Sequence, residues 1–293
     1  MTRKEFISVA ALLPLTGTAA KLQTLNRFLE ETDTTQKMPV LFLGHGSPMN
    51  AIEENEFVNG FRDIRQDIQR PTAILVISAH WETKGTYVTA MEHPPTIHDF
   101  GGFPQALFDV QYPAAGSPEL AQATQHLLNK TEVHLDDKWG LDHGAWSVVK
   151  HLYPDADVPV IQLSIDYTQP ASYHYDLAKQ LSKLRHKGVL IIGSGNMVHN
   201  LRLVSWPHLN RTFGYDWAME ANEKMKSYIL DGNHRALVDF KNQGKAFDLA
   251  IPTPEHYLPL IYSLALQEQK DDLFLFNDSP VAGALTMTSV KIG

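Results

Sequence analysis

Four histidines stand where a folded chain could use them for chemistry. Three come shortly after short apolar runs typical of buried strands: His45 after residues 40–43, His80 after residues 73–78 and His199 after residues 189–192. The carboxyl ends of strands in open α/β sheets are where ligands bind, so we expect these side chains to converge. The fourth, His256, is predicted in the first turn of a helix that Thr253 caps.

Neutral imidazole binds zinc and iron readily, and it also transfers protons near neutral pH. The four histidines could therefore be metal ligands, or one of them could act as an acid or base. A single loop histidine is more often structural, and the repeated placement is what favours a site. His143, in Asp-His-Gly-Ala-Trp, could orient a substrate or cap the helix that follows. His98 could face the site or solvent. Seven others are predicted to be exposed: His126, His134, His151, His174, His186, His208 and His234.

Composition narrows the possible classes of protein. The 293 residues include no cysteine, which excludes disulfides, thiolate zinc sites, iron–sulfur clusters and cysteine nucleophiles. A metal would have to be held by imidazole and carboxylate. The net charge of −8 argues against a nucleic-acid partner, and no apolar run is long enough to cross a membrane. Glycine-rich nucleotide-binding motifs are absent, and Ser194 does not lie in a nucleophile elbow, so we interpret it as a turn residue.

Residues 1–37 are predicted to form a leader and linker ahead of a catalytic domain over residues 38–293. Arg3 and Lys4 precede the mostly apolar run 6–15 and small residues, a pattern similar to a twin-arginine export signal in which Lys4 replaces the second arginine. Export to the periplasm and retention in the cytoplasm are the two alternatives. A frayed N-terminal helix is the structural interpretation of the same residues.

From residue 38 onward, apolar runs alternate with helical patterns, which predicts a single α/β domain: a mixed central β-sheet flanked by helices, with the metal site at the strand C-terminal ends. Helices are predicted over residues 57–69, 118–129, 172–185 and 216–230, and an edge strand over residues 284–290. The loop 94–104 is rich in Pro, Gly and aromatic residues, which favours a wall or lid over the site.

The motifs together resemble the class III extradiol ring-cleaving dioxygenases of the LigB type, in particular their DOPA 4,5-dioxygenase branch. Six segments carry the resemblance: Leu43–Asn50, Ser78–Trp81, Pro94–Pro104, Trp139–Trp146, Ser194–Asn200 and Pro252–Pro259. They extend over nearly everything except the leader, which is a departure because this branch is associated with cytoplasmic enzymes.

The resemblance implies that His45, His80 and His256 bind one metal ion per chain, Zn²⁺ in the resting form or Fe²⁺ for turnover. His199 would be a fourth ligand or the acid/base beside the metal, and His143 would contact the substrate. Other LigB enzymes use two histidines and a glutamate, so Glu255 is the alternative to His256 as third ligand. The implied partners are O₂ and a DOPA-like catechol, whose ring opens beside its hydroxyls to a semialdehyde.

Two other classes remain open from the residues alone. The same histidines could hold zinc in an amidase-like hydrolase, which would need no oxygen. A metal-binding or structural protein is the third class, and it is disfavoured because structural zinc sites are usually closed and rich in cysteine.

Overall fold

The computed structural model describes residues 37–209 and 211–293. Apart from Lys37, the predicted leader lies outside the described residues. The described chain contains a mixed eight-stranded sheet with helices on both faces, which confirms the predicted fold class. None of its helices is both long and apolar enough to pass through a bilayer.

The sheet is mixed because parallel strands at its centre are flanked by antiparallel ones. Its strands are β1 Val40–Gly44, β2 Ala73–Thr83, β3 Thr86–Thr89, β4 Val133–Asp136, β5 Val160–Asp166, β6 Val189–Gly195, β7 Leu273–Phe276 and β10 Ser289–Ile292. The order is β4-β3-β5-β2-β6-β1-β10-β7, and a two-stranded sheet pairs β8 Pro280–Val281 with β9 Leu285–Thr286. Since β5, β2, β6 and β1 run parallel, their carboxyl ends meet at one edge.

Ten α-helices occur in the described residues. They are α1 Glu56–Gln66, α2 Gln105–Phe108, α3 Pro118–Leu127, α4 His143–Leu152, α5 Ala171–Lys179, α6 Ser182–Arg185, α7 Asp216–Leu230, α8 His234–Val238, α9 Lys245–Ala250 and α10 Leu258–Ala265. Short 3-10 turns lie at Pro48–Ala51, Trp206–His208 and Phe240–Asn242.

The central sheet is apolar on both faces, and β1 shows how the two cores arise. Val40 and Phe42 point into the core that contains α5, α7 and α10. Leu41 and Leu43 alternate with them and point into the core that contains α1 and α4. A strand covered on both faces is apolar at every position, which is why these strands are recognisable in the sequence.

Several predicted boundaries are corrected. His80 does not follow its strand but lies inside β2, which continues past an irregularity in its pairing between Ile77 and Glu82. His256 is not in the first turn of a helix capped by Thr253. It lies in the hydrogen-bonded turn just before α10, which begins at Leu258 with Tyr257 as its cap and Pro259 in its first turn.

The predicted helix 172–185 is two helices, α5 and α6. The predicted edge strand is divided between β9 and β10, and β10 is not at an edge. It lies between β1 and β7 and pairs with both in antiparallel fashion. The helix over residues 216–230 and the Ser117 cap of α3 are confirmed.

Candidate metal centre

Three of the four predicted histidines meet at the carboxyl edge of the sheet. Ligand-type atoms of His45, His80 and His256 all lie within 4.8 Å of one another. His45 directly follows β1, and its backbone N–H donates to Gly195 O at 3.0 Å. The turn that carries His256 is tied to the same edge, because its carbonyl oxygen accepts the N–H of Asn196 at 2.9 Å.

The closest approach is between the Nε2 atoms of His45 and His80, which are 3.3 Å apart. Two imidazole nitrogens bound to one zinc ion at about 2.0–2.1 Å in tetrahedral geometry lie about 3.3 Å apart. The spacing therefore fits two ligands of one ion. Whether it fits a direct hydrogen bond instead depends on which nitrogen of each ring carries the proton.

For His45 the hydrogen-bond partners decide the tautomer. The Ser194 hydroxyl donates its only proton to Gly144 O at 2.5 Å, so toward His45 Nδ1, at 3.0 Å, it can only accept. Nδ1 of His45 therefore carries the proton and Nε2 has the free lone pair. Ser194 is thus not a turn residue as predicted, but a buried strand residue that orients a candidate ligand.

The other two rings have carboxylates beside Nδ1. Asp99 Oδ2 is 3.3 Å from His80 Nδ1, and Glu255 Oε1 is 3.1 Å from His256 Nδ1. A carboxylate cannot donate when ionised, so in both rings the proton belongs on Nδ1 and the lone pair on Nε2. Such carboxylate–histidine pairs are typical around metal ligands.

The Nε2 lone pairs of His45 and His80 thus lie 3.3 Å apart with no N–H between them, and ligand-type atoms of all three rings lie within 4.8 Å of one another, an arrangement that a cation would stabilise. The donor set, neutral imidazoles with oriented Nδ1–H groups, suits zinc or ferrous iron. Glu255 Oε1 contacts His256 Nδ1 and accepts from the Thr253 hydroxyl, and ligand-type atoms of Glu255, His256 and His199 also lie within 4.8 Å of one another.

Burial keeps these imidazoles neutral. It lowers the pKa of His45 and His256 well below the ordinary value, and neighbouring histidines act in the same direction. Burial and His143 lower the pKa of His80 to about 3, although Asp99 and Glu255 oppose the shift. At neutral pH the rings are therefore uncharged and able to bind a metal.

His199 is close to the cluster but outside the group of three. Its ring stacks on that of His256 with centroids 3.5 Å apart and planes 8° apart. Its backbone is held by an N–H that donates to Ala250 O. Burial lowers the pKa of His199 to about 4, while Glu255 acts in the opposite direction.

The His143 ring lies beside that of His80, with centroids 3.8 Å apart. It is the first residue of α4, whose cap is Asp142. The buried Asp142 carboxylate accepts hydrogen bonds from Ser78, Gln162, Trp139 and the backbone of Ala145. Capping is therefore the role of Asp142, and the His143 ring is buried at the cluster.

The loop 94–104 forms a wall of the site, as its composition indicates. Phe100 packs edge-on against His143 at 5.5 Å between centroids, and Asp99 reaches between His80 and His143. His98 is half-buried outside the cluster, with its Nε2 atom 2.9 Å from Val110 O and its ring among aromatic side chains.

Two histidines predicted to be exposed are buried: His151, whose Nε2 contacts Asn50 O, and His174, which contacts Tyr262.

A cleft of about 630 Å³ adjoins the cluster. Its wall includes Gly46, which follows His45, and Leu285, which pairs with His199.

The family model described as "Catalytic LigB subunit of aromatic ring-opening dioxygenase" matches residues 39–272. The chain therefore belongs to the LigB family of aromatic ring-opening dioxygenases, and the resemblance to class III extradiol enzymes is confirmed. Nothing in the comparisons supports the hydrolase alternative.

Relatives from bacteria and plants agree with this assignment. The chain is 46% identical over 264 residues to 4,5-DOPA dioxygenase extradiol of Escherichia coli K12, covering 89% of this chain and 96% of the relative. It is 35% identical to the Beta vulgaris protein of the same name, over 85% of this chain and 94% of the relative. A crystal structure of an Escherichia coli K12 protein, titled as uncharacterized, superposes with a TM-score of 0.76 at 41% identity, covering 88% of this chain and all of that one.

Proposed function

We propose that this protein is a metal-dependent extradiol dioxygenase that opens the ring of a DOPA-like catechol with O₂. The observation that carries the proposal is the cluster of His45, His80 and His256, whose ligand-type atoms all lie within 4.8 Å of one another, with the His45 and His80 Nε2 atoms 3.3 Å apart. The substrate class comes from the relatives named above.

His45, His80 and His256 would hold the ion, which leaves coordination positions for other ligands. A bound ferrous ion would supply the electron transfer to O₂ that no side chain here can provide, whereas zinc has no accessible redox change. The side chains around it supply orientation, exclusion of water and proton transfer.

His143 lies beside His80 and His199 lies beside His256, which suits two separate proton-handling roles. His143 would accept a hydrogen bond from a catechol hydroxyl and remove its proton. His199, neutral at pH 7 because of burial, would hold and return a proton as the ring opens. Phe100 would cover the reacting ring, and the adjoining cleft would hold the substrate's side chain.

Oxygen uptake tests this function. Protein stripped of metal and reconstituted anaerobically with Fe²⁺ should take up one O₂ per L-DOPA consumed and form a yellow ring-opened product. The zinc-loaded protein should take up none. Absence of uptake with every catechol tried, despite bound iron, would disprove the assignment.

A further inference from the structure

Asp99 contacts two histidines of the site with one carboxylate. Its Oδ2 atom is 2.9 Å from His143 Nδ1 and 3.3 Å from His80 Nδ1. Its Oδ1 atom accepts the backbone N–H of His143 at 2.8 Å. One oxygen therefore accepts from a backbone N–H, and the other faces two Nδ1 atoms that can donate to it when they carry the ring proton.

The position of Asp99 is held by the loop that carries it. Ile97 donates its N–H to Leu141 O at 2.7 Å, and Trp146 Nε1 donates to Ile97 O at 2.9 Å. Phe100, the residue after Asp99, packs against the His143 ring. Although it lacks regular structure, this segment is anchored to α4 and to the residues before α4. A shift of the Asp99 carboxylate toward one of the two imidazole rings would therefore change its contact with the other.

We propose that Asp99 is a positioning residue shared by His80 and His143, which couples metal binding to substrate orientation. Through His80 it supports the ion, and through His143 it fixes the ring that receives the catechol hydroxyl. The second part rests on the function proposed above, and the first part rests only on the cluster.

The physical reason is the tautomer of each ring. A carboxylate beside Nδ1 keeps the proton there, so Nε2 of His80 is free for the metal and Nε2 of His143 is free to accept from a hydroxyl. His143 Nδ1 is buried and has no partner at hydrogen-bond angles, so its short contact with Asp99 is not yet aligned. Catalytic hydrogen bonds are commonly poorly aligned in enzymes without bound substrate and become shorter in the complex.

The Asp99→Asn variant tests the proposal because an amide has one acceptor and one donor group. In either orientation its NH₂ faces a donor, the backbone N–H of His143 or the two Nδ1 atoms. Zn²⁺ affinity, measured by competition with a chromophoric chelator, should fall about 10- to 100-fold. The matched control is Asp109→Asn, an exposed carboxylate ten residues further along the chain at the end of α2, which should leave affinity unchanged.

A second comparison separates the two roles. In a His143→Ala background, Asp99→Asn should weaken Zn²⁺ binding as much as in the wild type, yet lower kcat for L-DOPA at saturating Fe²⁺ no further. Single Asp99→Asn should lower kcat more than it raises KM. This non-additivity is expected only if Asp99 acts on turnover through His143.

Three results would overturn the proposal. If the Zn²⁺ affinity of Asp99→Asn is within threefold of the wild-type value, Asp99 does not support metal binding through His80. An equal further loss of kcat in the His143→Ala background would remove the His143 part. If the wild type turns over no catechol, the proposed function and the His143 part both fail, while Zn²⁺ affinity still decides the His80 part. If Asp99→Asn does not fold, Asp99→Ala removes both acceptors without adding a donor and gives the same comparison.

Discussion

Each histidine of the cluster depends on the partner of its Nδ1 atom, because that partner decides which nitrogen is free for a metal. The three partners differ in kind: a hydroxyl for His45, an aspartate for His80 and a glutamate for His256. Each lies on a different segment of the chain, and each favours the proton on Nδ1 and so leaves the lone pair on Nε2. The orientation of the rings is therefore a property of the residues around them.

His199 and His256 should respond differently to truncation. His256→Ala removes one of the three proposed ligands, so Zn²⁺ affinity should fall by more than the roughly 100-fold that loss of a supporting partner costs. His199→Ala should keep affinity within about tenfold and lower kcat about 10²- to 10⁴-fold, the range of general acid–base catalysis. Chelator competition and oxygen uptake measure the two quantities. Equal loss of affinity in both variants would instead make His199 a fourth ligand.

Sequence patterns identify the histidines but not their partners. His45, His80 and His256 were predictable because each lies beside a recognisable apolar run or helix start. Ser194 was not, because its hydroxyl joins residues 50 and 149 positions away, and it is the sheet register that places it there. The sequence marks Asp99 only as a carboxylate next to His98 in an aromatic loop. Its contacts with His80 and His143 depend on the path of that loop in the folded chain.

At the scale of elements, the first turn of α4 is packed directly on β2. A Cβ added to Gly144 would collide with the Ser78 hydroxyl and approach His80 Cδ2 to 2.7 Å. Gly144 also presents the carbonyl that fixes Ser194. Close contact between helix and strand at this one glycine therefore holds two candidate ligands in position.

Gly144→Ala should disturb that packing. We expect a loss of about 1–3 kcal/mol in the free energy of unfolding, typical of overpacking, together with weaker Zn²⁺ binding because His80 must move. Urea denaturation and chelator competition measure these effects. Gly101→Ala is the matched control, since nothing lies within 4 Å of its added Cβ. Unchanged affinity in Gly144→Ala would show that His80 tolerates the shift.

The contact of α5 with α10 should make stability depend on pH. His174 of α5 is fully buried against Tyr262, beside Tyr173 and Asp166, and burial lowers its pKa from 6.5 to about 4. Between these two pH values His174 is protonated in the unfolded chain but neutral in the folded chain. The free energy of unfolding therefore falls as pH decreases from 6.5 to about 4. At about 1.4 kcal/mol per pKa unit the total is about 3 kcal/mol.

Urea denaturation at a series of pH values, with metal removed, measures this dependence. His174→Asn should be less stable at neutral pH but should lose less on acidification than the wild type. The other buried histidines contribute equally to both proteins, so the difference between the two slopes isolates His174. Parallel slopes would contradict the prediction.

Elements were predictable where the local pattern is strong. The four central parallel strands are apolar on both faces, and α7 was predicted with both of its ends. The place of β10 between β1 and β7 was not, because an antiparallel pairing between the two ends of the domain has no local signature. The division of α5 from α6 likewise has no Gly or Pro to mark it.

At the scale of the whole molecule, the two ends of the parallel strands differ in function. The histidines lie at the carboxyl ends, whereas at the amino ends the fully buried side chain of Arg185 connects neighbouring segments of the chain. Its guanidinium donates to Met38 O before β1, Leu266 O after α10 and the Asp271 carboxylate before β7. One side chain therefore connects the segment before β1 to the segment between α10 and β7, which are far apart in sequence.

Arg185→Met should separate stability from function. It would leave the Asp271 side chain, 2% exposed, with Lys37 as its remaining ion-pair partner among the described residues, and breaking a buried pair costs about 3–5 kcal/mol. Because seven-residue β6 separates Arg185 from the cluster by roughly 20 Å, Zn²⁺ affinity should stay within threefold. Urea denaturation and chelator competition measure the two effects. Adding Asp271→Leu should recover part of the stability, since it removes the unpaired charge. A loss of Zn²⁺ affinity equal to that of Asp99→Asn would instead show that strain at one edge of the sheet reaches the other.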